Sequence, residues 1–265
     1  MTSIKPRKWL GQNFLIDNNI ARKIVDSIDI KKLNAVIEIG PGTGALTQFI
    51  LPKTQKYIGI EVDKKLAETL RQKYLKIPAF SLIQEDFLKL DLQGILGDYD
   101  KFSYTIIGNI PYNITSPILF KLFDICSNIH EAVLMVQLEV ARRIIALPGN
   151  KDYGILSIFS QIHADVSFLF KVPSTVFFPE PKVDSAVIKC RFYHSAREQF
   201  ADYQLFSRVI HTCFQHRRKM LRNSLTILFS KGILTKLNID LSLRPEQLSV
   251  EQWKKMINEI HSLLC

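Results

Sequence analysis

Asn109-Ile110-Pro111-Tyr112 sets an amide, a proline and an aromatic ring in four consecutive residues. The stretch follows a predicted strand, Tyr104 to Ile107, and precedes a predicted helix, Pro117 to Phe123. The asparagine oxygen and the backbone carbonyls accept hydrogen bonds, the proline stiffens the turn, and the tyrosine offers a flat face. Those parts suit a planar group carrying an exocyclic amine, as a nucleobase does. Alone, the four residues are equally compatible with an ordinary proline turn.

The upstream chain separates the two readings. Ala35-Val36-Ile37-Glu38-Ile39 is an apolar run suited to a buried strand, and it ends in Gly40-Pro41-Gly42-Thr43-Gly44. A helix through Leu46, Phe49, Ile50 and Leu51 follows. Strand, glycine turn and helix make a nucleotide-binding arrangement, because glycine lets the backbone approach a ligand and the helix start presents free N–H groups. The spacing is G-x-G-x-G, which is neither the dinucleotide fingerprint nor a phosphate loop ending in Gly-Lys-Ser/Thr. A second strand, Lys56 to Asp63, carries Glu61 about 20 residues after Gly40, where an acid meets a ribose diol. Asp63 fits better as the cap of the next helix, Lys64 to Leu75. A third strand, Phe80 to Gln84, ends in Glu85-Asp86, a carboxylate able to accept from an adenine amine. Successive strands tipped by glycine, Glu61 and Asp86 imply an adenosine-containing ligand at the edge of a sheet. Beside an amine-accepting turn, that ligand reads as S-adenosylmethionine rather than a redox dinucleotide.

These motifs need an α/β frame, and the rest of the chain supplies one. Asp17 is placed to cap a helix through Ile20, Ile24, Val25 and Ile28. Val133 to Gln137 reads as a strand, Glu139 to Leu147 as a helix whose Arg142 and Arg143 fit a solvated face better than an RNA contact, and Ala164 to Phe170 as another strand. Gln12 and Asn13 read at first as local capping residues. Val176 to Ser185 contains Pro179 and Pro181 and reads as an extended loop leading into a strand, Ala186 to Phe192. Phe177 or Phe178 can project from that loop, one into the core and one as the second face of a base clamp with Tyr112. Beyond about residue 195 helical spacing takes over, with Leu205, Phe206, Val209, Ile210, Cys213 and Phe214 on one stripe. Arg208 to Arg222 holds five Lys/Arg and no acid, including Arg217, Arg218, Lys219 and Arg222. Ser249 and Gln252 form a capping box ahead of Trp253, Met256, Ile257 and Ile260.

Composition agrees with such a frame. The 265 residues are 47% apolar, enough for a substantial core, and the formal charge of +10 favours a polyanionic partner over a merely basic surface. Four widely spaced cysteines argue for a reducing compartment and against zinc or a disulfide framework. Lys5, Arg7 and Lys8 lead into Trp9 and a polar stretch, unlike a secretory signal, and no apolar run approaches a membrane span. The expectation is a soluble, cytoplasmic protein without metal. Its methyltransferase domain covers 1–195, a mostly parallel sheet flanked by helices, and a helical RNA-binding domain covers 196–265.

The motifs together resemble the small-subunit (16S-type) ribosomal RNA adenine N(6)-dimethyltransferases. The resemblance runs through Leu10-Gly11-Gln12-Asn13-Phe14-Leu15, Glu38 to Gly44, Glu61-Val62-Asp63, Asp86, Asn109 to Asn113, Phe177 to Ser185 and Arg217 to Asn223. Ile110 stands where that family often has leucine. The resemblance implies a Rossmann-like class I methyltransferase fold with a small all-α domain. It also implies dimethylation of two adjacent adenosines near the 3′ end of the RNA, acting as a monomer on a pre-ribosomal small subunit. By the same resemblance, Asn13 and the Leu15 backbone close over the cofactor, Gly40 lines its pocket, Glu61 holds the ribose, and Asp86 reads the adenine. Asn109 lies between methyl and target, with Ile110, Tyr112 and Phe177 completing the catalytic set. The alternatives are a large-subunit methyltransferase of the macrolide-resistance type and a non-catalytic assembly factor.

Overall fold

The computed structural model describes residues 6–29, 35–96 and 104–265; Lys5 lies outside them. The strands are β1 (Phe14–Leu15), β2 (Ala35–Ile39), β3 (Tyr57–Ile60), β4 (Phe80–Ile83), β5 (Tyr104–Asn109), β6 (Ile129–Gln137), β7 (Ala164–Val172), β8 (Phe177–Phe178) and β9 (Ser185–Phe192). The helices are α1 (Asn18–Asp26), α2 (Thr47–Ile50), α3 (Lys64–Tyr74), α4 (Leu92–Leu96), α5 (Thr115–Asp124) and α6 (Leu138–Ile144). They continue with α7 (Ile155–His163), α8 (Tyr203–Gln215), α9 (Leu221–Leu225), α10 (Lys231–Leu234) and α11 (Val250–Leu264).

The main sheet has the order β4-β3-β2-β5-β6-β9-β7. Strands β4 to β6 of that order are parallel neighbours, and β9 is antiparallel to β6. The inner strands β2, β3 and β5 are almost wholly buried, as expected for a parallel sheet covered on both faces. Chain order reverses at β2: β3 and β4 lie on one side and β5 on the other. That reversal leaves a crevice at the carboxyl ends of β2 and β5, the position where open α/β sheets bind ligands.

The local signals act as their chemistry dictates. Asp17 caps α1 by accepting from the N–H groups of Asn19 and Ile20, and Asp63 caps α3 through Lys65 N–H. The α2 segment is shorter than its apolar pattern suggests and gives way to a 3-10 turn at Leu51–Lys53, where Pro52 cannot donate to a continuing helix. Strand β6 starts earlier than expected, at Ile129, and buries Glu131 against Lys189 of β9. Lys189 Nζ also donates to Ser27 O (2.8 Å) and Glu131 Oε1 accepts from Asp29 N–H (2.9 Å), so this buried pair fastens the end of α1.

Two compact units emerge: residues 1–141 with 165–194, and residues 142–164 with 195–265. Residues 142–164 group with the helical unit rather than with the sheet unit. The reason is aromatic packing. Phe159 of α7 lies 5.0 Å from the Phe206 ring of α8, and His163 accepts from or donates to Tyr203 at 2.9 Å. The helical unit is completed by α11, whose Ser249–Gln252 capping box forms as expected and whose Trp253, Met256, Ile257 and Ile260 are buried. No helix among the described residues is long and apolar enough to cross a membrane.

Candidate active site

The strand tips are aligned by hydrogen bonds that run one residue past each strand. Gly40 N–H donates to Ile60 O, Glu61 N–H to Ile83 O, and Ile110 N–H to Met135 O, all at 2.9–3.0 Å. The ladder partner of Ile39 is Gly108. Gly40 and Asn109 are therefore adjacent, although 69 positions separate them in the chain. Gly108 explains how they come so close. A Cβ there would lie 2.8 Å from the Ile39 carbonyl oxygen, so only glycine allows β5 this approach to β2. Sequence reasoning did not single out Gly108; a glycine inside a strand, immediately before the amide, was the available signal.

The residues before β1 lie across this edge. Arg7 Nε pairs with Asp63 Oδ2 (3.1 Å), Arg7 N–H donates to Gln12 Oε1 (2.8 Å), and Gln12 Nε2 donates weakly to the same Asp63 oxygen (3.4 Å). Gln12 is thus a tie, as its first reading proposed. Asn13 has a larger part. Its backbone carbonyl accepts from Asn109 Nδ2 at 2.9 Å. A carbonyl can only accept, so this contact fixes the amide: nitrogen toward Asn13, and Oδ1 left as an acceptor. The recess so formed is lined by Gly11, Asn13, Gly40, Glu61, Asn109 and Tyr112 among others. Phe14, Val62, Leu66 and Pro111 also line it, and these apolar walls were not foreseen.

The glycine turn and Glu61 suit an adenosine-bearing cofactor. Gly40 has φ +63°, and a Cβ on it would enter open space, so the floor of the recess is bare backbone. Glu61 is 3% exposed, and its two oxygens accept from Gly42 N–H and Asp63 N–H, both at 2.9 Å. Burial pushes its pKa up, against those two backbone donors, which favour the ionised form. A carboxylate so oriented at a ligand recess is a ready acceptor for hydroxyls. Among the described residues, no group of His, Cys, Asp or Glu side chains is placed to hold a metal ion.

A family model for ribosomal RNA adenine dimethylase matches residues 4–262. The chain belongs to the ribosomal RNA adenine dimethylase family. A relative from Chlorobium phaeobacteroides, named ribosomal RNA small subunit methyltransferase A, is 45% identical over 99% of this chain and 96% of its own length. One of the same name from Caldanaerobacter subterraneus is 39% identical over 98% of this chain and 99% of its own. Among solved structures, a dimethyladenosine transferase from Plasmodium falciparum superposes with TM-score 0.78 at 26% identity, covering 94% of this chain and 98% of that one. The 23S rRNA methyltransferase ErmE gives TM-score 0.69 at 25% identity, covering 94% and 100%.

The remaining expected residues separate. Tyr112 lines the recess, and its hydroxyl lies 2.7 Å from Ser185 Oγ on β9. Burial pushes the phenol pKa up, so the ring stays neutral. Ile110 lines the recess too, its peptide plane fixed by the bond to Met135. Leu15 belongs to the wall under the glycine turn. Asp86 stands past the tip of β4, outside the residues lining the recess, and its Oδ1 accepts from Leu88 N–H at 2.9 Å.

Phe177 departs from its expected role as a clamp. It pairs with Leu15 across the β1–β8 ribbon, is 3% exposed, and packs into the core with Leu15, Val172 and Val187. Side chains alternate along a strand, so the neighbouring Phe178 points the other way and is 58% exposed. As packed here, Phe177 presents no free face to a base.

The basic cluster lies in the helical unit, with Arg217, Arg218 and Lys219 in the turn between α8 and α9 and Arg222 at the start of α9. Arg218, Lys219 and Arg222 are exposed. Arg217 is held within the unit: Nη2 donates to Asn150 O (3.3 Å) and Nε faces Glu246 Oε2 at 3.7 Å. Grouping it with the other three as a phosphate contact overlooked these partners.

Proposed function

We infer that this chain transfers methyl groups from S-adenosylmethionine to the exocyclic amines of adenosines in small-subunit ribosomal RNA. The observation that carries the reading is the Asn109 amide, turned by the Asn13 carbonyl so that Oδ1 is an acceptor, beside a bare glycine floor. The targets are two adjacent adenosines near the 3′ end of the RNA, each dimethylated. The substrate particle is an assembling small subunit in the cytoplasm, and the enzyme acts as a monomer.

Gly40 and the Leu15 backbone would line the cofactor's place, Glu61 would accept from its ribose hydroxyls, and Asp86 from its adenine amine. When bound, the cofactor supplies an electrophilic sulfonium methyl. An adenine amine is a poor nucleophile because its lone pair is delocalised into the ring. Asn109 Oδ1 and the Ile110 carbonyl accept its two N–H hydrogens, orient the lone pair and stabilise the positive charge developing on nitrogen. Tyr112 stacks on the extruded base, which is worth roughly 1–3 kcal/mol. The nitrogen then loses one proton to water, so no strong base is needed. Arg218, Lys219 and Arg222 contact phosphates.

The test is transfer from labelled S-adenosylmethionine to unmethylated small and large subunits, followed by nucleoside analysis. Dimethyladenosine in small-subunit RNA alone is expected. Label in large-subunit RNA would transfer the assignment to the macrolide-resistance type, whose fold is also similar. Cofactor binding without label in either would favour a non-catalytic assembly factor.

A further inference from the structure

One acidic group beneath the glycine turn has no part in the transfer step. Glu38 lies on β2, two residues before Gly40, and is 2% exposed. Its Oε2 accepts from Thr47 Oγ1 of α2 (2.6 Å) and from the Tyr57 hydroxyl of β3 (2.7 Å). With Gly40, Gly42, Thr43 and Asn109 it lines a small recess under the turn.

The groups acting on Glu38 are hydroxyls and another acid. Thr47 faces it from α2 and Tyr57 from β3, while Glu61, just past the tip of β3, repels its negative charge. Across the ladder to β5 its partner is the apolar Ile107. From α3, Tyr74 acts on Tyr57, whose own pKa is pushed well up by burial, so Tyr57 stays a neutral donor. None of these groups is a cation. Burial outweighs the two hydrogen bonds and holds the Glu38 carboxyl at about 7 rather than 4.5. At neutral pH it stands near the midpoint between acid and carboxylate.

A sulfonium donor carries one positive charge more than the thioether left after transfer. A buried carboxyl without a cationic neighbour responds to that difference. We propose that Glu38 reads the charge of the cofactor: it is ionised when the sulfonium donor is bound and regains its proton when the thioether product is bound. The pocket thereby prefers donor to product increasingly as pH rises through neutrality. This rests on the S-adenosylmethionine reading above.

If donor binding requires the carboxylate, donor affinity falls about tenfold from pH 8 to pH 6, and about half a proton is released on binding at pH 7. Product affinity changes much less. The experiment is calorimetric titration with S-adenosylmethionine and with S-adenosylhomocysteine between pH 6 and 8, in two buffers of different ionisation enthalpy. Glu38→Gln, which keeps an oxygen for Thr47 and Tyr57, should show a flat donor-to-product ratio and lose the proton release. An equal slope in the variant would assign the linkage elsewhere, to Glu61 first, and overturn the proposal; so would a flat ratio in the parent protein. Binding of neither ligand would overturn the cofactor reading itself, a distinguishable result. Should Glu38→Gln not fold, Tyr57→Phe removes one bond that favours the carboxylate. It should move the midpoint of the pH dependence upward, and an unmoved midpoint would overturn the proposal.

Discussion

The sheet edge and the basic turn of the helical unit are built on opposite principles. At the sheet edge each polar group that matters has a fixed partner: Asn109 on Asn13, Tyr112 on Ser185, Glu61 on Gly42 and Asp63. Across the α8–α9 turn and the start of α9, three of the four cations are exposed; Arg217 is tied to Asn150 and Glu246, and Arg222 to the Met220 sulfur. The difference fits the roles proposed for the two regions. An acceptor aimed at a reacting amine loses its effect with a small error in direction, whereas attraction to a phosphate backbone tolerates a mobile charge.

The comparison breaks most readily at Asn109. Asn109→Ala should lower methyl transfer by about 10²–10³ while leaving RNA affinity largely intact. Near-normal turnover in a single-turnover assay would show that the tied amide is scaffold only. Phe177→Ala should cost roughly 3 kcal/mol or more in denaturant unfolding, because it empties a core position, and Phe178→Ala well under 1. The reverse order would restore Phe177 as the exposed clamp and contradict the ribbon's alternation.

Gly108→Ala tests placement without touching the amide. The added Cβ must push β5 away from the Ile39 carbonyl, shifting Asn109, and should reduce transfer about 100-fold in protein that still folds. Full activity would mean that the tip tolerates displacement. For the basic turn, Arg218→Ala, Lys219→Ala and Arg222→Ala together should lower the salt slope of RNA binding by about 2–3, with little change in thermal stability. An unchanged slope would make the turn a solvated face. The smallest effect is expected for Arg217→Ala alone: a stability loss within about 1 kcal/mol by thermal unfolding, since its pair with Glu246 is loose and partly solvated.

Much of this was legible from the sequence because its signals are local. A glycine turn between an apolar strand and a helix, an Asp or Ser cap, and an amide followed by proline each act within a few residues. Most strand positions, the caps and the recess residues Gly40, Glu61, Asn109 and Tyr112 lie in such patterns, whereas Asn13 read locally as a cap and neither β1 nor β8 was expected as a strand. The family resemblance then attached roles to them.

The sequence by itself determined which side chains were available for chemistry, and approximately which element carries each. Tertiary structure decided what those elements are beside. The reversal at β2 sets Asn109 against Gly40, and a carbonyl 96 positions away orients the amide. Between Phe177 and Phe178 the ribbon pairing chooses the buried one, and aromatic packing draws α7 into the helical unit. Even the charge of Glu38 belongs to the fold, since desolvation arises only when distant segments close around a carboxyl. Covalent neighbours fix local geometry; burial, partner and dielectric come from segments that only folding brings together.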